Sequence, residues 1–310
     1  EAYRPIERTP LRGTYRGYEI VTMPPPSSGG LVMLEVLNIL EGFNIRELGY
    51  NSAATLHVLV ESMRRAFADR AEFMADPDFA DVPVGKLVDK SYADALRRTI
   101  SVDKATASSK IRPGSQMITE GNETTHYTVI DAEGNVVSNT YTINDLYGSR
   151  VTIKGTGIVM NDEMDDFAAR PGLPNLFGLI QGERNKIEPG KRPLSSMTPT
   201  IVLRKDGSFW FALGARGGPR IISAVLQAVI NVIDHDMNIQ QAIDAPRLHH
   251  QWIPDEIAYE PDTISVLRGY GHIFASRPVY LASATGIMVG SDGVRYGAID
   301  SRSDGKAVGY

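Results

Sequence analysis

Two adjacent threonines stand where the composition of the chain changes. Residues 101–123 are rich in Ser, Thr, Lys, Gly and Asn, and Thr124 and Thr125 then begin an alternating segment that runs to Asp131. The alternation predicts a strand, and the turn at 132–134 that follows predicts a hairpin. A polar, exposed linker that ends at a strand is a place where a chain can be cut. Because threonine favours strands, a purely structural pair is the alternative interpretation.

A cut before Thr124 would create a nucleophile that carries its own base. The freed α-amine, with a pKa of about 8, and the side-chain hydroxyl would share one residue, which is the N-terminal threonine form of nucleophilic catalysis. The cut itself would require the Thr124 hydroxyl to attack the carbonyl carbon of Glu123, an N-to-O acyl shift that hydrolysis completes. We therefore predict acyl transfer after self-cleavage between Glu123 and Thr124.

Further polar groups downstream could serve such a nucleophile. Gly217 and Gly218 precede an apolar helix, and backbone N–H groups at a helix start can stabilise developing negative charge. Carboxylate and amide oxygens could accept from an ammonium group, and serine hydroxyls could bind a carboxylate. The candidates for these two roles are Asn144, Glu163 and Asp166 for the ammonium group, and Ser195 and Ser196 for the carboxylate. Together they predict a pocket for an amino-acid head group.

Two of the chemically suggestive segments also allow simpler interpretations. Residues 162–166 place four carboxylates within five residues, which also suits a solvated acidic turn; the spacing and glycine of an EF-hand are missing. Residues 24–30, Pro-Pro-Pro-Ser-Ser-Gly-Gly, could cradle a phosphate before a helix. Because the P-loop lysine is absent, a tight connection is the favoured interpretation of this motif.

Composition excludes several classes of function. The 310 residues are 42% hydrophobic and 22% charged with a net charge of −5, so no basic face for nucleic acid is indicated. No apolar run approaches the ~20 residues of a spanning helix. The absence of cysteine excludes disulfide and thiolate chemistry. The start at Glu1, without methionine or a signal peptide, predicts a processed or truncated product.

Periodicity predicts the elements that position these groups. Residues 31–40 predict a buried helix, and residues 51–74 predict an amphipathic helix capped by Asn51 or Ser52. Strands are predicted at 136–143 and 151–160, and hairpins at 200–213 and around 291–293. The charged residues of the second helix are predicted on its solvated or interface side; they are Glu61, Arg64, Arg65, Asp69 and Arg70.

Several motifs in this order resemble the γ-glutamyltransferase family of N-terminal nucleophile hydrolases, also called glutathione hydrolases. The resemblance runs essentially from end to end. The segments that carry it are Met23–Gly30, Ala68-Asp69-Arg70, Asp76-Pro77-Asp78-Phe79, Thr124-Thr125-His126-Tyr127, Met164-Asp165-Asp166-Phe167, Arg192–Met197, Ala245-Pro246-Arg247 and Leu248-His249-His250-Gln251-Trp252.

The resemblance implies a mixed α/β (α+β) fold, the four-layer αββα sandwich of these hydrolases, with the amino-terminal part of the family fold missing. It divides the chain into residues 1–123, the end of a large-subunit region with an exposed linker at 101–123, and residues 124–310, a small-subunit catalytic region. It implies a precursor, or zymogen, that is cut into two subunits. A periplasmic or extracellular location is implied by bacterial relatives.

The resemblance also implies roles for individual residues. Thr124 would be the nucleophile, Thr142 its positioning neighbour, and Gly217 and Gly218 the oxyanion hole. Asn144, Glu163 and Asp166 would hold the α-amine of a γ-glutamyl donor such as glutathione, and Ser195 and Ser196 its α-carboxylate. The γ-glutamyl-enzyme ester would pass to water, an amino acid or a peptide. No metal or organic cofactor is implied, so His249-His250 is interpreted as structural.

Two departures and two alternatives accompany this interpretation. An arginine that pairs with the substrate carboxylate precedes the equivalent of Glu1 in the family, so it is either absent here or supplied by another chain. Phe177 stands where some bacterial members carry a lid tyrosine. A glutaryl acylase of the same fold is one alternative, although Asp166 favours a substrate that carries an amine. A non-catalytic fragment is the other alternative.

Overall fold

The computed structural model describes residues 3–111, 123–261 and 267–310. Within these ranges the strands are β1 (Leu11–Tyr15), β2 (Tyr18–Thr22), β3 (Glu123–Ile130), β4 (Val136–Asn144), β5 (Thr200–Leu203), β6 (Phe209–Arg216), β7 (Leu248–His249), β8 (Ala258–Tyr259), β9 (Ser283–Val289) and β10 (Arg295–Ile299). The helices are α1 (Gly29–Leu40), α2 (Ile45–Leu48), α3 (Ala53–Phe73), α4 (Val84–Leu87), α5 (Lys90–Arg97), α6 (Arg220–His235) and α7 (Ile239–Asp244). No helix in these ranges is both long and apolar enough to cross a lipid bilayer.

A six-stranded antiparallel sheet forms the centre of the fold, in the order β1-β2-β5-β6-β9-β10. Phe211, Leu213 and Ala215 of β6 point to one face, where they join the core that α1, α3 and α6 build. Every residue of α1 is buried, including Glu35 and Asn38, which interrupt its otherwise apolar sequence. The helical layer therefore covers one face of the sheet.

The two-stranded β3–β4 ribbon covers the other face. Gly214 alternates with Leu213 and Ala215 and so points away from the helices. A Cβ atom added at Gly214 would lie 2.2 Å from the His126 ring of β3, and Thr285 on β9 donates to the His126 carbonyl at 3.3 Å. Helices, sheet and ribbon thus form successive layers, with Thr124 two residues from the contact between ribbon and sheet.

The prediction of a strand at residues 151–160 is wrong. This segment forms an exposed loop with a single bridge between Thr152 and Val159. Gly155 and Gly157 turn the chain with φ angles of +83° and +75°, which interrupt the extended conformation. The alternating apolar residues on either side of this turn therefore do not form a continuous strand.

The predicted linker is attached to the body of the protein along part of its length. Most side chains of residues 101–111 are exposed, but Ser108 is buried. The Ser108 N–H donates to Asp255 at 2.7 Å, and the Thr106 N–H donates to Glu61 at 3.0 Å. These bonds fix a segment that composition alone marks as free. Residues 112–122 of the predicted linker lie outside the described residues.

The charged residues of α3 were predicted on a solvated or interface side, and within this chain that prediction is wrong. All five are buried: Glu61, Arg64, Arg65, Asp69 and Arg70. Glu61 accepts from Arg64 at 2.9 Å and from Arg65 at 2.7 Å. Burial alone would raise the pKa of Glu61, but the arginines and the Thr106 N–H lower it to about 2. The helix is covered all around, and Glu61 is compensated both by arginines of the same helix and by Thr106, which is distant in sequence.

Candidate active site

Thr124 lies near the start of β3, directly opposite Thr142 of β4. The Thr124 hydroxyl donates to the Thr142 hydroxyl, with 3.1 Å between the two oxygen atoms. The pairing of the two strands becomes irregular between Glu123 and Thr124, where Glu123 lies opposite Asn144. The predicted scissile bond therefore coincides with a local break in the ladder, and the predicted positioning residue contacts the predicted nucleophile.

Asn144 connects this threonine pair to the acidic segment. Its backbone N–H donates to the Thr142 hydroxyl at 2.8 Å, and its side-chain amide donates to the Asp162 carbonyl at 3.0 Å. Asn144 is buried with a φ of +76°, a left-handed conformation that asparagine adopts more readily than most residues. The end of β4 thereby turns toward the residues that follow Asp162.

Glu163 and Asp166 occupy one short 3₁₀ turn, Glu163–Asp166. Burial raises the pKa of Glu163 to about 6, against a hydrogen bond with Asp166. Burial also raises the pKa of Asp166 well above its usual value, Glu163 raises it further, and the charge of Arg70 opposes both effects. Like charges this close resist joint ionisation, and an ammonium group beside them would favour the ionised form of both carboxyls.

The segment that carries Ser195 and Ser196 is held by the proline-glycine motif at 24–30. The Ser195 N–H donates to the Pro26 carbonyl at 2.9 Å, and the Ser28 N–H and hydroxyl donate to the Ser195 carbonyl at 2.8 and 2.7 Å. A Cβ atom at Gly29 would lie 2.1 Å from the Thr198 hydroxyl. The motif is therefore a tight connection, as predicted, and its glycine allows this close approach.

Asn185 and Arg70 join the serine segment to the acidic segment. The Asn185 side chain donates to the Asp166 carbonyl at 2.8 Å and accepts from the Leu194 N–H at 3.1 Å. Arg70 donates to the Ser196 hydroxyl at 3.3 Å while its charge acts on Asp166. The residues predicted for the two charged ends of an amino-acid head group are thus connected through Asn185 and Arg70.

Gly217 and Gly218 lie between β6 and α6, with φ angles of +134° and +56°. A Cβ atom at Gly218 would lie 2.9 Å from the Phe177 ring; Phe177 is buried, so its ring covers this glycine. Among the described residues, no acceptor pairs with the backbone N–H of either glycine. These two donors remain available for a ligand oxygen.

The described contacts join Thr124 to the glycine pair indirectly. His126, on the Thr124 side of β3, packs on Gly214 at the end of β6, and the chain reaches Gly217 three residues later. Burial lowers the pKa of His126 to about 4, so this histidine is neutral near pH 7. A cavity of about 610 Å³ beside Tyr18, Trp210 and Met237 is lined by none of the predicted site residues.

Comparison with known proteins decides the family. The model of the gamma-glutamyltranspeptidase family matches residues 1–310. The chain belongs to the gamma-glutamyltranspeptidase family. It is 48% identical over 314 aligned residues to a glutathione hydrolase proenzyme of Escherichia coli K12, covering 100% of this chain and 54% of that protein. The chain therefore spans about half the length of the curated relatives that it matches.

Two solved structures show the fold class. Gamma-glutamyltranspeptidase from Pseudomonas nitroreducens, complexed with L-DON, matches with a TM-score of 0.57 at 39% identity, over 60% of this chain and 99% of that chain. Cephalosporin acylase from Bacillus halodurans matches with a TM-score of 0.81 at 28% identity, over 98% of this chain and 53% of that chain. The family resemblance and the mixed α/β fold are both confirmed.

The sequence interpretation missed the contact between Arg70 and Ser196, one of the residues predicted to bind the carboxylate. Arg70 was predicted on the solvated or interface side of α3, yet it is 1% exposed. A signal was present: Arg70 follows Phe67 by three residues and Met63 by seven, which places all three on one helix face. His249 and His250, in contrast, lie as the structural interpretation expects, with His249 bonded to Ser223 and Gln251.

Proposed function

We propose that the protein is a γ-glutamyltransferase and glutathione hydrolase that uses Thr124 as its nucleophile. The observation that carries the proposal is one continuous set of contacts. It runs from the Thr124 hydroxyl through Thr142 and Asn144 to the acidic turn, and from there through Asn185 and Arg70 to the serine segment. The residues proposed as the nucleophile, the ammonium site and the carboxylate site therefore belong to one cluster.

Self-cleavage begins the mechanism. The Thr124 hydroxyl, held by Thr142, attacks the Glu123 carbonyl carbon, and the C–N bond breaks as the Thr124 nitrogen takes up a proton. Water then hydrolyses the resulting ester, which leaves a carboxylate on Glu123 and a free amine and hydroxyl on Thr124. The break in the ladder between the two residues supports this step, because the bond there is not fixed by regular pairing.

Turnover uses the new terminus. The Thr124 amine accepts the hydroxyl proton while the oxygen attacks the γ-carbonyl of the donor. The N–H groups of Gly217 and Gly218 stabilise the oxyanion, and the leaving amine takes the proton as the amide bond breaks. Water, an amino acid or a peptide then attacks the γ-glutamyl ester and regenerates the hydroxyl.

Charge complementarity selects the donor. Asn144, Glu163 and Asp166 bind the α-ammonium group, and Ser195 and Ser196 bind the α-carboxylate. Burial raises the pKa of Glu163 and of Asp166, and this supports the assignment, since an ammonium group beside the two carboxyls would favour their ionised forms. Neither the reaction nor the substrate contacts require a metal or an organic cofactor.

The active protein consists of two subunits from one precursor, residues 1–123 being the end of the large subunit and residues 124–310 the small one. Residues 124–310 make up about 60% of the chain, the share that the whole matched chain of the Pseudomonas nitroreducens enzyme covers. This agreement supports the boundary at Thr124. A periplasmic or extracellular location follows from the same family assignment.

Further polypeptide covers the outer face of the ribbon and supplies the arginine that the family places on the substrate carboxylate. Four large apolar side chains on this face are about half exposed: Tyr127, Val129, Val137 and Tyr141. They lie opposite the side that His126 buries against the sheet. A patch of this kind is typical of an interface, and the chain spans only about half of its relatives.

Self-cleavage is tested by comparing full-length wild type with Thr124→Ala and Thr125→Ala. Thr125 is the matched control, because it is the adjacent threonine on the same strand but lies on the opposite face. Denaturing electrophoresis should show two chains for wild type and Thr125→Ala and one chain for Thr124→Ala. Continued cutting before residue 124 in Thr124→Ala would refute the mechanism.

An acylase that acts on glutaryl side chains is the second candidate, because the cephalosporin acylase superposes over nearly the whole chain. Asp166 separates the two functions, since a glutaryl group has no amine for this carboxylate to bind. We expect a higher kcat/KM for γ-glutamyl p-nitroanilide than for glutaryl p-nitroanilide. The reverse order would favour the acylase.

A further inference from the structure

Arg70 is a buried cation with an unusual set of partners. It is 1% exposed and donates to two neutral hydroxyls, Ser28 at 2.8 Å through Nε and Ser196 at 3.3 Å through Nη2. Its Nη1 is also buried and has no hydrogen-bond partner among the described residues. Burying a charge is costly unless it is paired, and none of these hydrogen bonds reaches a carboxylate. A site that binds an anion would explain the arrangement.

The direction of these hydrogen bonds determines what the serines can do. A guanidinium group only donates, so the Ser28 and Ser196 oxygens both accept from Arg70. Ser28 then directs its own hydrogen to the Ser195 carbonyl at 2.7 Å, which fixes the backbone of the serine segment. Ser196 has one hydrogen, and this hydrogen must point away from the guanidinium group.

The Ser195 hydroxyl is also oriented as a donor, but by a backbone N–H rather than by Arg70. Its hydroxyl oxygen accepts from the Met197 N–H at 3.1 Å, so its hydrogen is likewise left to donate elsewhere. Both hydroxyls are therefore presented as donors, with a buried positive charge behind them. Two donors and a cation form a receptor for a carboxylate, whereas free serine hydroxyls could donate or accept.

We propose that Arg70 is a specificity-determining positioning residue: it orients the Ser196 hydroxyl as a donor, fixes the Ser195 backbone through Ser28, and thereby selects acyl donors that carry an α-carboxylate. This inference rests on the proposed function and extends it to a residue outside the substrate's direct contacts. Arg70 acts through the two serines and through its charge. Burial lowers the pKa of Arg70 to about 10, so it remains a cation at neutral pH.

The test compares two substrates that differ in one group. γ-Glutamyl p-nitroanilide carries the α-amine and the α-carboxylate, and 4-aminobutanoyl p-nitroanilide carries the amine alone. Arg70→Met in the full-length enzyme should lower kcat/KM for the first about 10–100-fold, the range for a lost charge-assisted hydrogen bond. The loss should appear mainly in KM. For the second substrate the change should stay within about threefold, and Arg70→Lys should recover part of the loss.

Arg65→Met is the matched control. Arg65 is an equally buried arginine of the same helix, bonded to Glu61 and Thr99 and remote from the serine segment. Its loss should affect both substrates by the same factor. If Arg70→Met also affects both equally, or affects neither, the proposal is overturned. If Arg70→Met fails to fold, as thermal unfolding would reveal, the same substrate comparison applies to Arg70→Lys.

A binding measurement separates this proposal from the proposed reaction. Calorimetry on the Thr124→Ala protein should show that L-glutamate binds and that adding Arg70→Met weakens it at least about tenfold. If the wild-type enzyme cleaves neither anilide but glutamate binding still depends on Arg70, the proposed function would be refuted and the role of Arg70 supported. Glutamate binding that does not depend on Arg70 would overturn the inference.

Discussion

Replacing Asp166 with asparagine isolates the proposed ammonium contact. The side chain keeps its size and loses its charge, and the main-chain oxygen of residue 166 still accepts from Asn185. Because that backbone bond holds the acidic segment to the serine segment, the substitution should leave the architecture of the site intact. What it removes is the carboxylate that would face the substrate amine.

The size of the effect follows from the burial of Asp166. A hydrogen bond to a charged group contributes about 1.5–3 kcal/mol, and a site this buried belongs toward the upper part of that range. Part of the gain is offset, because burial opposes the ionisation of Asp166 and raises its pKa. We expect a net loss of about 2–3 kcal/mol, or about 30–150-fold in kcat/KM.

The assay again uses matched anilides. Hydrolysis of γ-glutamyl p-nitroanilide by Asp166→Asn should fall by that factor. Hydrolysis of glutaryl p-nitroanilide, which lacks the amine, should change by less than about threefold. This pattern mirrors the one expected for Arg70, whose loss should be felt by every substrate that carries the carboxylate.

Two results would refute this reasoning. Equal losses on both anilides would mean that Asp166 supports the fold rather than the amine. An unchanged kcat/KM for the γ-glutamyl substrate would mean that the ammonium group is bound elsewhere.

Further predictions concern pH, the glycine pair and the core of α3. The pKa of Glu163 is raised to about 6. The value of kcat/KM should therefore fall as pH drops through 6, because a protonated carboxyl cannot pair with an ammonium group. Glu163→Gln should remove or shift this acidic limb of the pH profile. Gly218→Ala places a methyl group against Phe177 at a φ of +56°. We expect urea unfolding to show a loss of stability of about 1–2 kcal/mol, and we expect a lower kcat. The depressed pKa of Glu61, about 2 against 4.5, means that its contribution to stability is present above pH 4.5 and is lost as pH falls toward 2. Glu61→Gln should destabilise the protein by about 3 kcal/mol at pH 7 and flatten this dependence, and unchanged unfolding curves would contradict the ion-pair assignment.

Regular elements could be predicted from the sequence where a single period dominates. The alternation after Thr124 predicted β3, and the largely apolar run at 31–40 predicted α1, because local pattern and tertiary burial agree there. Residues 151–160 show the limit: their apolar residues suit a strand, but two glycines at positive φ interrupt it. A pattern of residue types does not reveal where the backbone turns.

The candidate site was predictable in its parts but not in its assembly. The family resemblance pointed to Thr124, Asp166 and Ser196, and the structure places these residues in one connected cluster. The family resemblance could not reveal that Arg70 contacts both Ser28 and Ser196, because these three residues are distant in sequence and meet only in the folded chain. The burial of the charged residues of α3 was missed for a similar reason, because segments that cover them, such as those around Thr99 and Thr106, are distant in sequence.

The central claim is that the freed amine and hydroxyl of Thr124 form the acyl-transfer nucleophile. Its most direct test is peptide mapping by mass spectrometry of the full-length enzyme, quenched in acid during turnover of a γ-glutamyl substrate. We predict a γ-glutamyl ester on a peptide whose first residue is Thr124. An adduct on another residue, or on a Thr124 that is still joined to Glu123, would contradict the account.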